Sequence, residues 1–357
     1  MKRKILTLFI LTLICTGIMA LLYATTEELI AERNPFIRRF PPHPAYLRGK
    51  AELGYNSYYF AGYDKGRIYF GNYSARLRLW SIDEKLHDFR EHKITFKNKD
   101  DWKRPVYKVA NGYFYLLDGN IPKVMSGQTN FWAAFPTKGE VPYFTVAETT
   151  GNDRFLIRST SAKDGSNILG SFMAEHDSIV FFPELLTRQD KGDGIFDTEG
   201  SLLYSEELGK VIYVYRYRNQ YLIANLKGKP KYIGHTIDTV SKAGIKVAHL
   251  KDGSERKMAA PPLIVNAHAA VCKHLLFVHS TLKGKYDNEQ DWKNAATIDV
   301  YDLNRHTYLM SFYIDNIGDK KLTSLLVTPQ FIYALIDTKV VAYQIDNVLA
   351  SEFKRYP

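Results

Sequence analysis

Two short patterns recur along this chain and leave few folds open to it. One is an apolar-x-apolar-aromatic-x-apolar-Asp/Asn run, seen in LRLWSID (77–83), IDVYDLN (298–304) and VVAYQID (340–346). The other precedes each of these: an apolar-aromatic run that stops at a polar tip, RIYFGN (67–72), LLFVHS (275–280) and FIYALID (331–337). GYFYLLDG (112–119), RFLIRS (154–159) and VIYVYRY (211–217) are further copies of that leading run. From about residue 51 onward the period is two rather than 3.6, and Gly, Asn and Asp break the runs, so the segment reads as all-β. The 25 Tyr and 20 Phe are the residue types that suit strands.

Six strand-and-tip units begin near residues 67, 112, 154, 211, 275 and 331, which puts successive starts 45, 42, 57, 64 and 56 residues apart. Four-stranded sheets repeated around a ring have this spacing. SYYFAGYD, RIYFGN, LRLWSID and HKITF give the first unit four strands from centre to rim, and SLLYSE, KVIYVYRY, YLIANL and PKYIGH do the same for the fourth. The sixth has only SLLVTP, FIYALID and VVAYQID before the chain nearly ends. A closed ring leaves no strand edge unpaired, so part of the 36–54 stretch is expected to complete that last sheet. The segment 51–346 resembles the six-bladed β-propellers of the TolB-like and NHL-like type, and GKVIYVYRYRNQYLIANL (209–226) is similar to membrane-anchored propellers of bacteria. The resemblance implies a ring with a central channel whose loops at one end bind ligands. It carries no catalytic motif.

The amino end adds a second constraint. Lys2, Arg3 and Lys4 precede ILTLFILTLICTGIMALLY (5–23), 19 residues without a charge and about the length that spans a bilayer. The run is longer than a secretory signal core. Leu22 or Ile18, two positions before Ala24 or Ala20, makes a poor cleavage site, and Ile14 before Cys15 a poor lipoprotein signal. An uncleaved single-pass anchor is therefore expected. Bases before the span and Glu27, Glu28 and Glu32 after it place the N-terminus in the cytoplasm, hence a bacterial inner-membrane protein with its ring in the periplasm. TTEELIAERNP extends the helix or frays from it until Pro35, and NPFIRRFPPHPAYL reads as an extended stalk. The expected layout is a basic segment 1–4, an anchor 5–23, a lead-in 24–50, the ring 51–350 and a tail 351–357. Cys15 in the span and Cys272 in a strand do not make a disulfide. The net charge of +10 favours anionic neighbours, and export sets nucleic acid aside.

Candidate ligand-binding residues sit at the tips. Arg216 and Arg218 end the KVIYVYRY strand, either as charges reaching back to water or as part of an anion-binding surface. Equivalent tips offer Asn72 and Arg76, Asp118 and Asn120, Arg158 and Lys163, His279 and Lys283, and Asp337. The longest tip, TLKGKYDNEQDWKNA (281–295), adds Trp292, whose ring can stack on a ligand or anchor the loop. Such mixed polarity suits a sugar, a peptide or an acidic ligand. DKGDGIFDTEG (190–200) has Gly192 and Gly194 where a calcium loop needs oxygens, so it reads as a crossing between units. His268, His274 and His279 lack zinc spacing and read as core or strand-edge residues. NYS (72–74) matches a glycosylation acceptor, which matters only if the host glycosylates exported chains. No catalytic residue, metal or cofactor is expected, and the function read from these features is binding or scaffolding of an envelope protein or a small polar or anionic ligand. The alternative is a metal-dependent hydrolase or lactonase with an ion in the channel. For that, the inner strands YYFAG, FTVAE and LIVNA supply only Glu148 and Asn266 as oxygens.

Overall fold

Helix α1 (Lys2–Arg33) opens the chain, and its Lys4–Leu22 segment, with a mean hydropathy of 2.6, is long and apolar enough to cross a membrane. A signal sequence has the same length and composition. These features come from a computed structural model that describes residues 2–33, 35–96, 101–151, 153–189, 194–250 and 255–355.

Everything after the lead-in is built on strands. Strand β1 (Ala45–Glu52) is followed by β2 (Tyr58–Asp64), β3 (Arg67–Asn72), β4 (Leu79–Asp83), β5 (Arg90–His92) and β6 (Thr95–Phe96). Next come β7 (Val106–Ala110), β8 (Tyr113–Asp118), β9 (Lys123–Gln128) and β10 (Ala133–Pro136), then β11 (Val146–Thr149), β12 (Arg154–Thr160), β13 (Asn167–Met173) and β14 (Ile179–Phe182). The second half holds β15 (Gly200–Ser205), β16 (Lys210–Tyr215), β17 (Gln220–Asn225), β18 (Pro230–His235), and the small hairpin β19 (Val247–Leu250) and β20 (Glu255–Met258). It ends with β21 (Asn266–Cys272), β22 (Leu275–Ser280), helix α2 (Glu289–Asn294), β23 (Ala295–Asp302), β24 (Thr307–Asp315), β25 (Leu322–Val327), β26 (Phe331–Ile336), β27 (Lys339–Ile345) and helix α3 (Asn347–Phe353).

Consecutive antiparallel strands form the four-stranded sheets β11–β14, β15–β18 and β21–β24, and a nine-stranded sheet joins β2–β5 to β7–β10 with β6 at its far edge. The join is one parallel bridge, Gly62 to Val109. Gly62 has φ +150°, and a Cβ there would lie 2.0 Å from the Val109 carbonyl oxygen, so only glycine lets these two inner strands meet. Each expected leading strand is present as the second strand of its sheet: β3, β8, β12, β16, β22 and β26. The HKITF run is a correction. The outer strand of the first sheet is Arg90–His92, while Thr95–Phe96 runs parallel to β10 of the next one.

No single core fills the molecule. Tyr58, Ile68, Phe70 and Trp80 pack against Tyr333, Leu335 and Val340; Tyr115 and Leu117 pack against Phe155, Ile157 and Phe172; Ile212 and Val214 pack against Leu276 and Val278. Each sheet thus buries both faces between neighbours. That is why the second strands read as continuous apolar runs rather than as a strict alternation.

The last sheet is closed by the amino end: β1 pairs antiparallel with β27, from Ala45 opposite Ile345 to Glu52 opposite Lys339, within the stretch expected to do so. The residues before it are fastened rather than free. Arg38 is buried, its Nε donating to Asp299 at 2.8 Å and its Nη2 to Ser280 at 2.8 Å and Asp299 at 3.1 Å. Its Nη1 donates to the Leu282 carbonyl at 2.9 Å and also to Asp287, so all five N–H groups are used. Phe40 stacks on Tyr313 with ring centroids 4.7 Å apart. At the other terminus α3 docks through buried Leu349 and Phe353, and the buried His274 ring bonds the Glu352 carbonyl at 3.1 Å.

Candidate functional site

Strands β2, β7, β11, β15, β21 and β25 line one shared cavity of about 340 Å³. Its wall takes Ala61 and Gly62 from β2, Lys108 and Val109 from β7, and Glu148 and Thr149 from β11. Leu203 and Tyr204 of β15, Ala269 to Val271 of β21 and Ser324 to Val327 of β25 complete the circle. Sheets that repeat around a common axis and are closed by the two chain ends admit one architecture. The chain is a β-propeller. No family model matches the sequence, and neither does any curated protein. Among solved structures it is similar to a member of the DUF4221 family from Bacteroides vulgatus, with a TM-score of 0.51 at 10% identity over 85% of this chain and 97% of that one. Two others align less well: the β-propeller domain of Swd1 from Myceliophteria thermophila (TM-score 0.46, 8% identity, 85% and 100% covered) and a streptogramin B lyase (0.47, 9%, 84% and 98%).

The propeller has two distinct ends. The cavity is lined by the later half of each first strand and by hairpin residues such as Asn111 and Gly151, so it lies towards the end carrying the first-to-second hairpins. One ion pair crosses it, Lys108 Nζ to Glu148 Oε2 at 2.6 Å, joining two adjacent sheets. Burial, and then the Glu206 charge, raise the Tyr204 hydroxyl above its ordinary pKa, so the phenol stays protonated and able to donate into the cavity. Glu148, read as channel-facing, is there; Asn266 is not. It is buried, donating to the Tyr215 and Arg218 carbonyls at 2.9 and 3.1 Å. Lys108 was not singled out, although a lysine inside the apolar VYKVA strand is the signal that would have found it.

Every tip residue picked from the sequence falls in, or beside, a second-to-third-strand connection, which places all of them at the opposite end. Most are committed to the protein itself. Asn72 Oδ1 accepts from Ser57 Oγ at 2.9 Å and from the Ser74 and Ala75 amides at 2.8 and 3.0 Å, and is too buried for its NYS motif to present an acceptor. Asp118 plays the same part, accepting from the amides of Lys103, Arg104, Asn120 and Ile121. Burial alone would raise its pKa, and these four donors outweigh burial and hold it below the usual carboxylate range. Arg76 donates to the Tyr73 and Lys103 carbonyls. Arg158 reaches the Tyr213 hydroxyl at 3.3 Å and Arg216 the Ala267 carbonyl at 2.8 Å, each tying its sheet to the next. Asp337 takes the left-handed position, φ 53°, in the β26–β27 hairpin.

Arg218 departs from both readings given to it. It neither reaches water nor faces the outside: it is 2% exposed, with its guanidinium 3.7 Å from the Tyr215 ring and Nη2 donating to the Thr187 carbonyl at 2.6 Å. Only His279 and Trp292 come together, on a second cavity of about 180 Å³ beneath the 281–294 connection. Asp190 and Gly192 of the calcium-like run lie outside the described residues, and among the described residues no group of three His, Cys, Asp or Glu is arranged to hold a metal.

Burial sets the protonation of three histidines. It lowers the pKa of His92 and His268 from 6.5 to about 4 and that of His279 to about 3. Between these values and 6.5 the unfolded chain binds protons that the folded one does not, so stability is complete above about pH 6.5 and is lost as pH falls towards 4. Thermal unfolding midpoints measured from neutral pH downward are expected to drop through this window, and to drop less in a His268→Gln variant.

Proposed function

We propose that the chain is a six-bladed, membrane-tethered binding or scaffold module, held by an uncleaved N-terminal helix with the ring on the extracytoplasmic side of a bacterial inner membrane. The observation that carries this reading is the fastening of the lead-in to one end of the ring. Phe36 packs with Val265 and Leu282, its carbonyl accepts from the Lys285 amide at 2.9 Å, and Arg38 locks the same loop. The tether therefore leaves from the tip end, which is turned to the bilayer, while the central cavity opens away from it. Exposed Arg76, Lys103, Arg104 and Lys285 at the tip end suit an anionic surface or an acidic partner. Attachment raises the local concentration of anything bound to the same membrane, so a partner need bind only modestly.

Two measurements test this. A periplasm-dependent reporter fused after Pro357 should be active; activity only of a cytoplasm-dependent one would reverse the topology. A photo-crosslinking residue at the exposed Tyr286 should capture one reproducible envelope component in living cells. Capture of nothing there, and nothing from a probe at Asn111 by the central cavity, would remove the scaffold reading.

A further inference from the structure

A groove of about 550 Å³ lies on the rim of the second sheet, and strand register decides which side chains face into it. Tyr113 of β8 stands opposite Gln128 of β9, and Ser126 of β9 stands opposite Phe135 of β10, so these four share one face of the sheet with Ala133. Phe114, Met125 and Ala134 occupy the other face, where they pack with Tyr69 and Leu79 of the first sheet. The rings on the groove side are left bare: Phe131 is 73% exposed, Phe135 56% and Tyr113 40%. Several large apolar groups exposed in one place mark an interaction site.

Phe131 is aimed into this groove by a constrained turn. Trp132 takes a left-handed φ of 53°, uncommon for a bulky residue, and its ring stacks on His92 and Phe114 with centroids 4.0 and 5.4 Å away. The Phe131 and Trp132 amides both donate to the Gln128 carbonyl, at 3.2 and 3.1 Å. The turn is thus pinned through Trp132 and presents Phe131 before any ligand arrives.

The lining narrows the occupant. No charged residue lines the groove among the described residues, in a chain that is 24% charged, so an ion is not its ligand. Polar groups stand between the rings: Gln128 Nε2 donates to the Tyr113 hydroxyl at 3.2 Å, which leaves the phenol proton, the amide oxygen and the Ser126 hydroxyl to face a guest. The backbone edge of β10 is taken by β6 at Ala133 and Ala134 and ends in Pro136, so a peptide cannot add there as a further strand. Tyr113 and Phe135 are two strand spacings apart, about 10 Å, too far for one small ring to touch both. Aromatic faces are electron-rich and attract weakly positive C–H groups. A guest with C–H faces at intervals, hydroxyls between them and no charge is a sugar chain.

We propose that this groove binds an extended neutral oligosaccharide, with successive sugar rings lying on Tyr113, Phe131 and Phe135 and their hydroxyls bonded to Gln128 and Ser126. This deepens the binding-module reading, on which it rests for biological meaning. Its test uses neither membrane topology nor a protein partner, so the two can fail separately.

The experiment is calorimetric titration of the full chain, in a detergent without a sugar headgroup, with chitohexaose and cellohexaose. Coiled maltohexaose and a decaproline peptide are the comparisons. Saturable binding of at least one extended hexasaccharide is expected, weaker for maltohexaose and absent for decaproline. Phe131→Ala and Phe135→Ala should each weaken it by about tenfold, and Gln128→Leu should weaken it while keeping the groove's bulk. Tyr55→Ala, an exposed ring outside the groove, should leave it unchanged. Both phenylalanines are exposed, so their variants keep the fold and report on binding. Binding of neither extended sugar, sugar binding indifferent to both phenylalanine variants, maltohexaose as tight as the extended sugars, or decaproline captured in their place would each overturn the assignment.

Discussion

Replacing Arg38 by alanine is expected to destabilise the fold by about 3–5 kcal/mol, the usual cost of removing one partner from a buried ion pair. Its side chain is fully enclosed and faces the equally enclosed carboxylates of Asp287 and Asp299. Without it two negative charges share one dry pocket and the Ser280, Leu282 and Asp299 oxygens lose their donors. Denaturant unfolding of the two proteins measures this directly. Arg38→Lys should recover little, because one ammonium has three donors where the guanidinium uses five. An unchanged unfolding midpoint for Arg38→Ala would show that the cluster contributes nothing. The double variant Asp287→Asn with Arg38→Met should recover part of the loss, since it removes a charge along with its counter-ion.

Deleting the closing strand should have the larger effect. A chain that starts at residue 35 keeps Arg38, β1 and the whole ring; one that starts at 54 loses the strand paired along Lys339 to Ile345. That exposes the backbone of β27 as an edge and removes Ala51 and Leu53 from the cluster that packs Val340 against Tyr58 and Phe70. The shorter chain is expected to aggregate or to unfold without a cooperative transition, and the longer one to give a single sharp melt. Size-exclusion chromatography and thermal circular dichroism separate the outcomes. A monomeric, cooperatively folding shorter chain would show that the ring closes by other means. A chain starting at 45 should fall between, with β1 present and Arg38 gone.

What was legible in the residues follows from what each signal encodes. The second strands could be read because both of their faces are buried, so runs such as VIYVY and LLFV have no polar interruption until the strand ends. The outer strand of the first sheet could not: REH is short, polar and mostly exposed, and nothing in it competes with the more apolar HKITF next door. Arg38 looked like part of a stalk because its partners are 249 and 261 residues away, and no local pattern carries that information. Polar tips were read as ligand groups, yet Asn72 and Asp118 cap the turns they begin, a role that Asn and Asp at a strand end announce on their own. Arg218 was read as the charged end of a strand, but the strand stops at Tyr215 and the chain folds back to lay the guanidinium on that ring. His279 and Trp292 met in one cavity because a long connection returns over its own strand, which spacing alone does not reveal.

The pairing of Ala45 with Ile345 also sets a timetable. Ribosomes deliver the earlier of the two some 300 residues ahead of the later, a wait of roughly 15–60 s at ordinary elongation rates. Towards the end of that interval an almost complete circle stands ajar, offering bare backbone to any passing strand, so a chaperone or a crowded neighbour has its best opportunity just before synthesis finishes.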